Sequence, residues 1–64
     1  MSRFTVYQEI AVIKAKGDLT YGKIYTVYDV MDGYAIILDD VGDATCLSDD
    51  EAITREEYEQ AERE

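Results

Sequence analysis

The chain has 64 residues, 47% of them hydrophobic and 33% charged, with a formal net charge of −9. That is room for one small domain with a thin core, and the apolar content sets it apart from disordered acidic chains. One cysteine excludes an internal disulfide, and the absence of histidine removes the usual proton carrier near neutral pH and the commonest metal ligand.

Residues Thr5 to Lys14 put Val6, Ile10 and Val12 on one parity and Tyr7, Ala11 and Ile13 on the other. Such β-branched and aromatic content predicts a strand partly covered on both faces. "AKGDLTYGK" follows as a loop around Gly17, Asp18 and Gly22, residues that take turn geometry at low cost. "IYTVYDV", Ile24 to Val30, predicts one continuous strand with Tyr25 and Val27 on one face and Ile24, Tyr28 and Val30 on the other. Asp32-Gly33 is a hairpin turn signal, so Tyr34 to Asp39 should pair antiparallel with the preceding strand. On that strand Tyr34, Ile36 and Leu38 oppose Ala35 and Ile37. "DDVGD" predicts a second turn at Gly42, and "ATCL" a short fourth strand ending near Leu47.

The C-terminal segment changes character. Thr54 and Glu57 have the spacing of a capping box, with Ile53 and Tyr58 at the positions of a hydrophobic staple, so a helix is predicted from about Arg55. Ser48 and Glu51 offer a competing box. "SDDEAI" is therefore either a helical turn or a link into a fifth short strand. Together the elements predict a mainly β fold, a small antiparallel meander barrel of four to five strands over about residues 5–53. A short acidic helical tail over about 54–64 completes a single domain spanning 1–64.

From Ile10 to Asp43 the chain resembles a class of small SH3-like β-barrel proteins, many of them encoded by bacteriophages. The matching positions include Leu19, Thr20, Gly22, Lys23, Tyr25 and Val27, then Tyr34, Ile36, Ile37, Asp39, Asp40 and Gly42. The resemblance implies the barrel, with Tyr25, Val27 and Ile36 alternating inward, and implies no catalytic residues. Beyond Gly42 the acidic, helix-forming segment departs from the class.

Charge falls into three blocks: residues 1–23 are net +2, residues 24–54 carry eight acids and no base, and residues 55–64 are net −3. An acidic stretch repels phosphate, which disfavours direct nucleic-acid binding despite six tyrosines. Three uses of the charge remain: solubility, a specific acidic contact to a protein, or imitation of a phosphate array in the basic groove of a nucleic-acid enzyme. The clusters Asp39, Asp40 and Asp43, and Asp49, Asp50 and Glu51, lack the spacing of a calcium loop and read as turn and cap residues. Cys46, Ser48 and the threonines have no histidine to activate them, and Cys46 in "ATCL" reads as a buried apolar side chain. No enzyme activity, cofactor or metal is expected.

Apolar side chains on both faces of consecutive strands exceed what one small interior holds. The second face is covered either by the C-terminal helix, through Tyr58 and Ala61, or by barrel curvature. Otherwise it is exposed as a patch including Tyr21, Ile24 and Tyr28 for a partner or a second copy. The expected function is non-enzymatic protein binding, as a phage accessory protein that modulates or inhibits a host protein. The surface expected to carry it combines those residues with Asp49, Asp50, Glu51, Glu56 and Glu57. DNA mimicry and a structural homo-oligomer are the alternatives. No window approaches the roughly 18 apolar residues of a membrane span and no apolar stretch follows Arg3 as in a leader, so a cytoplasmic location is expected, which the resemblance to phage-encoded proteins would make the host cytoplasm.

Overall fold

The computed structural model describes residues 3–63. Six strands, β1 (Glu9–Val12), β2 (Ile24–Thr26), β3 (Asp29–Met31), β4 (Tyr34–Leu38), β5 (Ala44–Leu47) and β6 (Ala52–Thr54), precede one helix, α1 (Arg55–Glu62). They form two three-stranded antiparallel sheets, ordered β2-β1-β6 and β3-β4-β5. Mainly β structure with a short C-terminal helix is thus as read from the sequence. The strand count is higher, and the strands are divided between two sheets rather than joined in one closed barrel.

Two long predicted strands are shorter than expected, each for its own reason. The segment before Glu9 turns instead of extending: Gln8 N–H donates to Thr5 O (3.1 Å) and Tyr7 adopts φ +72°. The predicted strand Ile24–Val30 breaks where the chain changes sheet. Val27 N–H still bonds Gln8 O (2.9 Å) in the first sheet, while Tyr28 N–H bonds Ile36 O (2.7 Å) in the second. Asp29 is the register partner of Ile36, so Tyr28 and Asp29 both face one residue, the arrangement of a β-bulge. One extra residue reverses side-chain parity beyond it. Val30, expected to share a face with Ile24 and Tyr28, therefore points inward and packs on the core.

The core lies between the sheets. Ile10, Val12, Tyr25 and Val27 from the first meet Ala35, Ile37 and Leu47 from the second, closed off by Phe4, Leu19 and Ala52. Each fully buried large aliphatic side chain contributes about 1.5–3 kcal/mol relative to exposure. The Asp32-Gly33 turn forms as predicted, both residues having positive φ (+52° and +83°), the requirement of a type I′ hairpin. Thr54 caps α1, with its side chain accepting from Glu57 N–H and Glu57 reaching back to Thr54 N–H (2.9 Å). Ser48 starts no helix. Glu51 accepts from Ser48 N–H (2.9 Å) across a single turn that leads into β6.

Helix α1 lies against β1 and β6, on the side of the first sheet away from the core. Tyr58 reaches Gly22 so closely that a Cβ there would stand 2.6 Å from its hydroxyl oxygen. Ala11, opposite in parity to Ile10 and Val12, is fully buried as a result, and Ile24 and Ile53 beside it are half-buried. Helical cover of a second face is thus realised on this sheet through Tyr58, whereas Ala61 is exposed.

Candidate functional site

The acidic clusters come first, because their partners decide what field they project. The N-terminal basic block folds back onto them. Arg3 donates from its backbone N–H to Asp49 Oδ1 (3.1 Å), from Nη1 to Glu57 Oε1 (3.0 Å) and from Nη2 to Ala52 O (2.9 Å). Lys14 pairs with Asp50 at 3.1 Å and Lys16 with Glu51 at 3.0 Å. These bonds hold carboxyls low: Asp50 through Ser48 and then Lys14, Glu51 through Ser48 N–H with Lys16 adding, and Glu57 through Thr54 N–H with Arg3 adding. Exposed pairs of this kind contribute little stability individually, about 0–1 kcal/mol. Their effect is to neutralise most of the cluster. Asp49, whose carboxylate accepts from the Arg3 backbone N–H, and Glu56 have no ion pair among the described residues.

Asp39 and Asp40 serve the turn and the loop facing it. Asp39 Oδ1 accepts from Val41 N–H (3.1 Å) and Asp43 N–H (2.8 Å). Asp40 gathers Lys23 Nζ (2.6 Å), Thr20 Oγ1 (2.6 Å) and the Tyr25 hydroxyl (3.0 Å). Led by the Lys23 bond, these donors lower its carboxyl to about 2 and raise Lys23. Asp39 thus has the turn-forming role expected of it, whereas the Asp40 side chain bonds the facing loop instead. Among the described residues no group of three or more acidic or cysteine side chains has the arrangement of a metal site.

Among the described residues no helix packs on the outer face of the second sheet. Ala35 and Ile37 are fully buried on β4, which leaves Tyr34 (46% exposed), Ile36 and Leu38 (48% exposed) facing outward. Their register partners share that face: Met31 (56% exposed) opposite Tyr34, Cys46 opposite Ile36, and Ala44 opposite Leu38. At one edge the face runs into a shallow cleft of about 290 Å³ lined by Tyr7, Thr26, Val27, Tyr28 and Leu38. This surface is apolar, contiguous and bordered by carboxylates: Asp29 on the face itself, Asp32 in the turn at one end of β4, Asp39 and Asp43 in the turn at the other.

The residues expected to form one surface are distributed over three places. Asp49, Asp50, Glu51 and Glu57 lie in the paired network, with Glu56 beside it on α1. Ile24 is half-buried on the helix-covered face, and Tyr21 (63% exposed) stands in the β1–β2 loop. Tyr28 (63% exposed) belongs to the cleft beside the second sheet. Two expectations are corrected. Ile36 is not an inward position, and Cys46 is exposed rather than buried. Both follow from register: they face Asp29 and each other across β4, and a carboxylate holds that face toward water.

Tyr34, Leu38 and Met31 were not read as surface residues, although the signal was present. A two-residue Asp32-Gly33 turn fixes the pairs Met31–Tyr34, Val30–Ala35 and Asp29–Ile36. Asp29 then marks the parity of Tyr34, Ile36 and Leu38 as outward. No helix among the described residues is long and apolar enough to cross a membrane. Compared with family models, curated proteins and solved structures, the chain matches none of the three.

Proposed function

We propose that the chain is a small, non-enzymatic protein-binding module of SH3-like type, whose recognition surface is the outer face of the second sheet. One observation carries the reading. Each sheet has an outer face carrying apolar side chains, yet α1 packs on the first, and Met31, Tyr34 and Leu38 stand about half exposed on the other. Contiguous apolar surface rimmed by polar groups marks interaction sites, and tyrosine is well suited to them because it combines contact area with a hydroxyl. The SH3-like part rests on the strand that passes from one sheet to the other at Val27–Tyr28 and on the resemblance over Ile10–Asp43. That resemblance also makes a host protein, bound by a phage-encoded accessory factor, the partner in this reading.

The pairing pattern favours protein binding over DNA mimicry. An array that imitates phosphate needs uncompensated charge, and Asp50, Glu51 and Glu57 are ion-paired with Lys14, Lys16 and Arg3. The test is capture of proteins from a bacterial lysate on the immobilised chain, compared with a Tyr34→Ser/Leu38→Ser variant and a Glu56→Gln/Glu62→Gln variant. Circular dichroism confirms that each is folded. The reading expects a captured protein to be lost with the first variant and retained with the second. Equal capture by all three forms would place binding elsewhere and refute it.

A further inference from the structure

The face just assigned has a chemistry that selects its occupant. We infer that it receives a cationic amphipathic helix, laid along β4 with an apolar stripe on Tyr34, Ile36 and Leu38 and basic side chains at both ends. The inference rests on the reading above and specifies the partner.

Dimensions argue for a helix. Tyr34 to Leu38 spans about 13 Å at roughly 3.3 Å per residue, and three strands about 4.8 Å apart give a platform about as wide as a helix of 10–12 Å diameter. The chain itself provides the precedent, since the outer face of its first sheet is closed by α1. A strand added at the β5 edge would leave the three outward side chains of β4 bare.

Charge sets the sign. Residues 24–54 contain no lysine or arginine. Among the described residues the Asp32 and Asp43 carboxylates have no ion pair, and Asp29 and Asp39 accept only from backbone N–H groups and a hydroxyl. Asp32 and Asp39 stand seven residues apart along the chain. Counting the turn residues at either end of β4, that is at most about 23 Å of extended chain, or no more than roughly four turns of helix, so a basic residue at each end of such a helix meets a carboxylate. A second copy of the chain fits badly: it brings the same carboxylates against each other, with nothing basic on the face to answer them, and like-charge juxtaposition disfavours association.

The probe is an 18-residue peptide of leucine and lysine with leucines at helical period. Its controls are a peptide of identical composition with leucines alternating and a helical-period leucine–glutamate peptide. Occupancy is read from the alkylation rate of Cys46, which lies on the face, and affinity from amide chemical-shift titration. The helical leucine–lysine peptide is expected to slow alkylation at least fivefold and to bind at least tenfold tighter than either control. Leu38→Ser should weaken it about tenfold, Asp32→Asn/Asp43→Asn should weaken it and flatten its salt dependence, and Glu56→Gln/Glu62→Gln should leave it unchanged. Equal binding of the glutamate peptide, preference for the alternating peptide, or indifference to Leu38→Ser each overturns the inference. So does sedimentation showing a dimer that Leu38→Ser dissolves. If lysate capture depends on Tyr34 and Leu38 but the helical peptide does not compete for it, the partner chemistry fails and the recognition face stands; if capture ignores those residues, both fall.

Discussion

Gly22→Ala tests the claim on which the choice of face depends, that α1 is docked on the first sheet. Gly22 has φ +78° and a Cβ there would meet Tyr58 Oη at 2.6 Å, whereas Gly42 has φ +88° with nothing within 4 Å. Gly42→Ala therefore measures backbone strain alone, about 1–2 kcal/mol for an L-residue in the left-handed region. Gly22→Ala adds displacement of the Tyr58 ring and partial loss of its burial, a further ~1–2 kcal/mol. Total stability for a chain of this length is about 3–10 kcal/mol at roughly 0.05–0.15 kcal/mol per residue. Gly22→Ala thus removes a large share of it. Thermal unfolding followed by circular dichroism should show Tm falling about 4–16 °C for Gly42→Ala and roughly twice that for Gly22→Ala, at about 4–8 °C per kcal/mol.

Tyr58→Phe supplies the control. With the hydroxyl gone the nearest ring atom stands at 3.4 Å, an ordinary contact. In that background Gly22→Ala should cost no more than Gly42→Ala, giving a coupling of about 1–2 kcal/mol in the double-mutant cycle. Equal losses for the two glycine variants, or a Gly22→Ala loss unaltered by Tyr58→Phe, would refute the docking and reopen the first sheet as a recognition face.

Two further outcomes are expected. Ile37→Ala, at a fully buried site, should cost about 2–5 kcal/mol in chemical denaturation, while Leu38→Ala should stay within about 0.5 kcal/mol; comparable losses would mean that the two faces of β4 are assigned the wrong way round. Acid should destabilise the protein, because Asp40 titrates near 2 when folded against 3.8 as an ordinary carboxyl, with Asp50, Glu51 and Glu57 lowered in the same sense. A depressed carboxyl contributes stability that is complete above its unfolded value and lost as pH falls through the folded one. Urea midpoints of the wild type and Asp40→Asn should therefore differ most above about pH 4 and converge toward pH 2, and parallel curves would remove Asp40 from the acid response.

Features that depend on residues a few positions apart were legible from the chain alone. Positive φ at Asp32 and Gly33, the Thr54–Glu57 cap, and the alternation along Tyr34–Leu38 each depend on neighbours no more than four positions away, and each forms as read. Beyond that range, tertiary structure decided. A bulge at Tyr28, created by the change of sheet, reversed Val30, and pairing with β5 carried Cys46 outward with Ile36. The acidic turn after β5 reads as free charge along the chain, yet Arg3, Lys14 and Lys16 reach it from 35 to 46 positions away. The Lys14 and Lys16 pairings exist only once β6 lies beside β1, because that pairing, continued by the Ile13 and Lys14 N–H groups donating to Glu51 O, brings side chains so distant in the chain within bonding distance.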